Sequence, residues 1–341
     1  MKSRYLVSMN LCVITAASLA CADELDDGGL VPFGEGVVAA AESINSDEYL
    51  QKLRVIAHDS MGGRDTPSPG LEMTAAWIAS EFERLGLVPG GDDGSYVQRY
   101  LIDDIRSAPN VAGILQGSDP VLRGEYVVFS AHMDHIGVGP PNAQGDSINN
   151  GADDDASGTV AVLEIAEAFA SLPTKPKRSM IFVLVSGEEK GLWGSAYFTE
   201  NPPVPIELMV ADLNLDMVGR NWPDTIVAIG MEHSDLGETL GLVNEAHPEL
   251  EMTAIDDIWP DERFYFRSDH YNFARRGVPV LFFFNGTHED YHGRDDEADR
   301  IDAEKATRIG QLIFFLGYEV ANRIERPQWN LESRRQIVSD Q

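Results

Sequence analysis

Three stretches of this chain, residues 126–130, 181–186 and 278–284, are apolar on nearly every residue rather than on every second one, and a fourth, 209–217, is apolar apart from Asp212, Asn214 and Asp216. A strand with one wet face alternates, whereas a strand buried on both faces does not. The segments between them carry apolar residues at helical spacing. In 158–169, Val162, Ile165, Ala166 and Phe169 share a face, and in 305–320 so do Ile309, Leu312, Ile313, Leu316 and Val320. Residues 74–85, closed by Gly86, and residues 236–246 read as further helices. Strands of this kind alternating with amphipathic helices imply an α/β fold whose sheet is covered on both faces. Residues 225–230 fit an edge strand. No repeat, low-complexity tract or linker interrupts 46–325, so a single domain is expected there, between a loose lead-in at 23–45 and a tail at 326–341.

The first residues read as a secretory leader. Lys2 and Arg4 give a basic start, residues 5–19 are mostly apolar, and Ala20-Cys21-Ala22 fits a small-x-small cleavage site. An exported protein, periplasmic or extracellular, is the expectation, with lipid attachment at Cys21 as the second reading. Cleavage after Ala22 leaves 319 of 341 residues and removes both cysteines, Cys12 and Cys21, which excludes thiol chemistry. Beyond the leader nothing is long and apolar enough to span a membrane. The net charge of −30, from 56 acidic and 26 basic residues, repels phosphate backbones and argues against nucleic-acid partners.

In doubly covered sheets ligands gather beyond the C-terminal strand ends, and here those ends are rich in acids and imidazoles. Residues 126–130 run into Ala131-His132-Met133-Asp134-His135, and 181–186 into Gly187-Glu188-Glu189. Residues 209–217 contain Asp212 and Asp216, and 278–284 lead to His288, Tyr291 and His292. Asp153-Asp154-Asp155 precede the helix at Gly158. Taken singly, each has an ordinary explanation: a core histidine beside a carboxylate, an acidic helix cap, a solvated loop. Taken together, so many carboxylates at one edge would repel one another and resist burial unless cations offset them. Three carboxylate and two imidazole ligands suit two four-coordinate zinc sites with one shared carboxylate.

The chain resembles the co-catalytic zinc aminopeptidases of metallopeptidase family 28, the bacterial leucyl aminopeptidase type. The resemblance is carried by Ala131-His-Met-Asp-His135, Asn150-Gly-Ala-Asp-Asp-Asp-Ala-Ser-Gly158, Ser186-Gly-Glu-Glu-Lys-Gly-Leu-Trp-Gly-Ser195, Leu215-Asp-Met217, Arg267-Ser-Asp-His-Tyr271 and Asp290-Tyr-His292, in the family's order. It implies a three-layer α/β/α sandwich with a mixed, mostly parallel sheet, as in zinc-dependent exopeptidases of the phosphorylase/hydrolase-like type. It implies two Zn2+ ions, with Co2+ or Mn2+ as substitutes, acting on peptide substrates. By position His132 and Asp216 would hold one ion, Glu189 and His292 the other, and Asp154 both, with a cis bond between Asp154 and Asp155. Glu188 would be the general base for a metal-activated water, Asp134 would fix the tautomer of His132, and Tyr291 would face the developing oxyanion. Asp269 and His270 would be supporting residues, and His135 and His288 have no role by resemblance. His58, His233 and His247 are expected at the surface, and Trp259 and residues 264–266 in the core or a pocket wall. The lid domain that some relatives insert has no room between Tyr100 and Asn110. A glutaminyl cyclase, another exopeptidase or a binding protein on the same scaffold are the alternatives.

Overall fold

The structure, a computed structural model, describes residues 29–338. The expected leader at 1–22, and Cys21 with it, lie outside the described residues. Among the described residues nine strands form one sheet: β1 (Val88–Pro89), β2 (Val97–Leu101), β3 (Ser107–Leu115), β4 (Tyr126–His132), β5 (Ser179–Val185), β6 (Met209–Leu215), β7 (Thr225–Ile229), β8 (Thr253–Ile255) and β9 (Val280–Phe283). Their order is β1-β3-β5-β4-β6-β9-β7-β8, with β2 also on β3. The centre, β5-β4-β6-β9, is parallel throughout, while β3 and β7 join it antiparallel. The C-terminal ends of all four central strands therefore open on one edge.

The helices are α1 (Glu35–Glu42), α2 (Ser46–Ile56), α3 (Pro69–Arg84), α4 (Gly158–Ser171), α5 (Trp193–Glu200), α6 (Leu236–Ala246), α7 (His270–Ala274), α8 (Ala303–Asn322) and α9 (Leu331–Ile337). Side chains alternate across each strand, and here they divide the core in two. Phe129, Phe182, Leu213 and Phe283 pack with α1–α4, α6 and α8 on one face. Val128, Ile181, Val183 and Phe282 pack with Phe198 of α5, Phe273 of α7 and Ile337 of α9 on the other. This is the three-layer arrangement. Among the described residues no helix is long and apolar enough to cross a membrane.

Several local expectations need correction. From Glu35 onward the lead-in is not loose, because α1 buries Val37, Ala40 and Ala41. The tail carries α9, whose Ile337 is buried. β7 is not at the edge, since the three-residue β8 pairs outside it. His247 is buried and stacks on Phe315 at 3.6 Å between ring centroids.

Candidate metal centre

The residues at the open edge are placed by the turns that end each central strand. His132 is the last residue of β4, and Asp216 follows the last residue of β6. Glu188 and Glu189 begin the tight turn after β5, entered through Gly187 at φ 74°. A Cβ on Gly187 would lie 2.6 Å from the Tyr100 hydroxyl, so the turn needs both the left-handed backbone and the missing side chain. Asp154 sits in the irregular turn before α4, with a cis Asp154–Asp155 bond. His292 comes from the loop after β9 and, like Met217 beside Asp216, has a left-handed backbone, φ 55° and 56°. Such backbones in non-glycine residues concentrate at functional sites.

These turns bring His132, Asp154, Glu189, Asp216 and His292 together. His132 Nε2 lies 3.3 Å from Asp154 Oδ1 and 3.5 Å from Asp216 Oδ1. His292 Nε2 lies 3.1 Å from Asp154 Oδ2 and 3.2 Å from Glu189 Oε2. The two oxygens of Asp154 thus face two different imidazole–carboxylate groups. Donors bound to a tetrahedral zinc at 2.0–2.2 Å stand roughly 3.3–3.5 Å apart. The spacing and the donor set both fit a pair of zinc ions sharing Asp154. Asp155 is also within reach of His132, but its oxygens already accept from the backbone N–H groups of His132, Gly158 and Met217. Three of its acceptor positions are thus spent on holding the turn together.

Electrostatics follow from crowding acids in a buried place. Burial pushes the Glu188 carboxyl well up, reinforced by Asp269, Asp216 and Glu189, against the pull of His132. Burial also raises Asp216 and takes Asp269 to about 7. Burial works against the charge of Asp154 too, yet His132, His135 and His292 around it hold it well below the usual carboxylate range. His292, despite desolvation, is raised to about 10 by Asp154 and Glu189.

Glu188 shares a pocket with His132, Asp154, Asp216 and Tyr291, walled by Met217, Phe264, Phe282, Phe284 and Arg267. Of the aromatic runs, Phe264 is in the wall and Trp259 packs edge-on behind Phe264 and Phe284. Tyr291 stacks on His292 at 3.9 Å. Asp134 stands on the Nδ1 side of His132, but the nearer acceptor is its own peptide oxygen, 3.2 Å away, with the carboxylate at 3.6 Å. That carboxylate is engaged elsewhere: it accepts from the Thr66 hydroxyl at 2.8 Å and the Glu188 N–H at 3.3 Å. Asp134 therefore holds the Glu188 turn as well as facing His132. His270 stacks on Phe282 and its Nε2 faces the Tyr265 carbonyl oxygen, while His288 lies against Asp153 at 3.3 Å.

Sequence reasoning missed the residues that hold these turns. Arg64 is fully buried and donates to the carbonyls of Ile56, Met133, Asn150 and Gly151. Asp296 accepts from the N–H groups of Asp153 and Asp154. Ser268 donates to Asp216 Oδ2 at 2.8 Å. The signal for Arg64 was the Gly62-Gly63 pair before a lone arginine; Asp296 sits in an acidic run that looks solvated.

The sequence pattern described as Peptidase family M28 matches residues 110–316. The chain is 27% identical over 294 residues to a probable zinc metalloprotease of Pyrenophora tritici-repentis, covering 75% of this chain and 58% of that protein. It is 25% identical over 246 residues to aminopeptidase YwaD of Bacillus subtilis, covering 69% of this chain and 50% of that one. The chain thus spans only about half to three fifths of the length of these relatives. Among solved structures, the LapA aminopeptidase of Legionella pneumophila superposes with a TM-score of 0.66 at 24% identity, covering 85% of this chain and 76% of that one. The zinc aminopeptidase BSAP of Bacillus subtilis gives 0.64 at 15% identity, covering 82% and 96%. These likenesses establish the fold.

Proposed function

The chain belongs to peptidase family M28, a family of zinc-dependent peptidases, and from that premise we propose that it is an exported aminopeptidase that removes N-terminal residues from peptides with two zinc ions and Glu188 as general base. The observation that carries this reading is Asp154, whose two oxygens face His132 and His292 separately at 3.3 and 3.1 Å. His132 and Asp216 would hold one ion, Glu189 and His292 the other, and Asp154 both. When bound, such a pair lowers the pKa of a water and polarises the scissile carbonyl.

The remaining work falls to the chain's own side chains. Glu188, in the same pocket as His132, Asp154 and Asp216, takes the proton from the attacking water and returns it to the leaving amine. Its peptide N–H donates to Asp134, which fixes the turn from which the carboxylate reaches into the pocket. Tyr291, on the pocket wall, donates to the developing oxyanion. Met217, Phe264, Phe282 and Phe284 of the pocket wall accept an apolar side chain. Export rests on the leader at 1–22 and is checked by sequencing the N-terminus of the protein recovered outside the cytoplasm, which should begin at Asp23.

The test is a screen of aminoacyl, N-terminal glutaminyl and carboxyl-blocked substrates with native protein, chelated protein, zinc-restored protein and the Glu188→Gln variant. Aminoacyl hydrolysis should vanish on chelation and return with zinc. Glu188→Gln should keep its metal and lose activity by roughly a hundred- to ten-thousand-fold. Undiminished turnover in that variant rejects the base assignment, and cyclisation of the glutaminyl substrate alone rejects the aminopeptidase reading.

A further inference from the structure

One imidazole at the open edge has no role in the reading above. His135 is fully buried, and neither ring nitrogen has a hydrogen-bond partner among the described residues. Leaving a buried polar group unpaired is costly, so the site needs a reason. His135 Nδ1 lies 2.9 Å from Glu189 Oε1 and 3.7 Å from Asp154 Oδ2. Glu189 Oε1 is itself unpaired. The same two carboxylates face His292 Nε2 at 3.2 and 3.1 Å. The two rings meet edge to face, 5.6 Å between centroids. Two imidazoles thus present a nitrogen to one pair of carboxylates. At the Glu189 contact the atoms are close without the directionality of a hydrogen bond. Close, unpaired donor atoms converging from several side chains are the arrangement that a shared cation satisfies.

The backbone also makes room for this ring. A Cβ on Gly151 would stand 2.4 Å from His135 Cγ, and Gly151 has φ 55°, where glycine is favoured. The seat for His135 is cut into the loop that carries Asp154.

We propose that His135 is a further protein ligand of the ion held by Glu189, His292 and Asp154. This rests on the metallopeptidase reading above and extends its ligand set. One seat then has a single imidazole, His132, and the other has two. Two imidazoles bias the second seat toward zinc, cobalt, nickel and copper and away from magnesium, calcium and manganese.

The experiment loads the full chain, with histidine nitrogens isotopically labelled, with spin-active cadmium and records cadmium–nitrogen scalar couplings by NMR. Three coupled imidazoles, one of them through Nδ1 of His135, are expected in the native protein. His135→Asn should leave two. Couplings confined to His132 and His292 overturn the proposal and assign His135 to holding Glu189 in place, while the peptidase reading stands. A protein that takes up no cadmium, zinc or cobalt overturns both. The native spectrum decides even where the variant fails to fold.

Discussion

Arg64 offers the sharpest test of how the open edge is assembled. Its guanidinium ties together three separated pieces of chain: the end of α2 through Ile56 O at 3.0 Å, the turn after β4 through Met133 O at 2.8 Å, and the loop before Asp154 through Asn150 O and Gly151 O at 2.6 and 2.9 Å. Met133 sits between His132 and Asp134, so the clasp reaches both groups of proposed ligands. Replacing Arg64 by Met keeps most of the volume and removes all four bonds. Hydrogen bonds from a charged donor contribute about 1.5–3 kcal/mol each. At the low end of that range, because one cation serves all four, the loss is about 5–6 kcal/mol, a large part of the stability of an ordinary domain. For a chain of this size that corresponds to a fall in Tm of about 7–9 °C. The assay is denaturant and thermal unfolding of native, Arg64→Met and Arg64→Lys proteins, with metal uptake measured on the fraction that stays folded. Arg64→Lys would keep the charge, but a single ammonium cannot reach three loops in fork geometry, so it should recover little. A loss under about 1 kcal/mol for Arg64→Met, or full recovery with Arg64→Lys, would refute the clasp.

Two further outcomes follow from packing and charge. A Cβ on Gly194 would stand 2.2 Å from Ser186 O and 2.3 Å from Asn110 Oδ1, at the base of the turn that presents Glu188 and Glu189. Gly194→Ala should cost about 2–3 kcal/mol and reduce activity, and an unchanged Tm would count against it. Glu167 on α4 receives both guanidinium nitrogens of Arg84 at 2.9 Å and Lys52 at 2.7 Å, and these partners hold its carboxyl down to about 2, Arg84 foremost. With an ordinary value near 4.5 in the unfolded chain, this stabilisation is full above that pH and is lost as pH falls from about 4.5 through 2. Glu167 is 29% exposed, so solvent screening reduces the contribution to about 1–2 kcal/mol. Glu167→Gln should lower the urea midpoint at pH 7 and leave it unchanged near pH 2; an equal loss at both values would mean that the charge is not the cause.

What the sequence made legible depends on which atoms do the work. His132, Glu188, Glu189 and Asp216 could be found because each stands where a doubly buried apolar run stops, and burial on both faces is written directly into residue type. β3 escaped because Pro109 and Gly113 interrupt its pattern, although it lies inside the sheet between β5 and the β1/β2 edge. β8 escaped because three residues are too few for a period. Arg64, Asp296 and Asp155 act on peptide N–H and carbonyl groups, which every residue carries, so their partners leave no trace in the residue pattern. The three consecutive carboxylates before α4 show the same limit most clearly. They are identical in type and adjacent in position, yet Asp153 accepts from Gly219 N–H, Asp154 faces two imidazoles, and Asp155 accepts from three backbone groups. What separates them is backbone direction, since Asp154 and Asp155 leave the helical region at ψ 96° and 47° and so point apart. The same reasoning applies to His135 and His288. Both lie within a few residues of a proposed ligand, and only distance in space places one against Glu189 and the other against Asp153. Residue type brings acids and imidazoles to this edge; the dihedral angles of the turns decide which of them can share an ion and which must hold the turn.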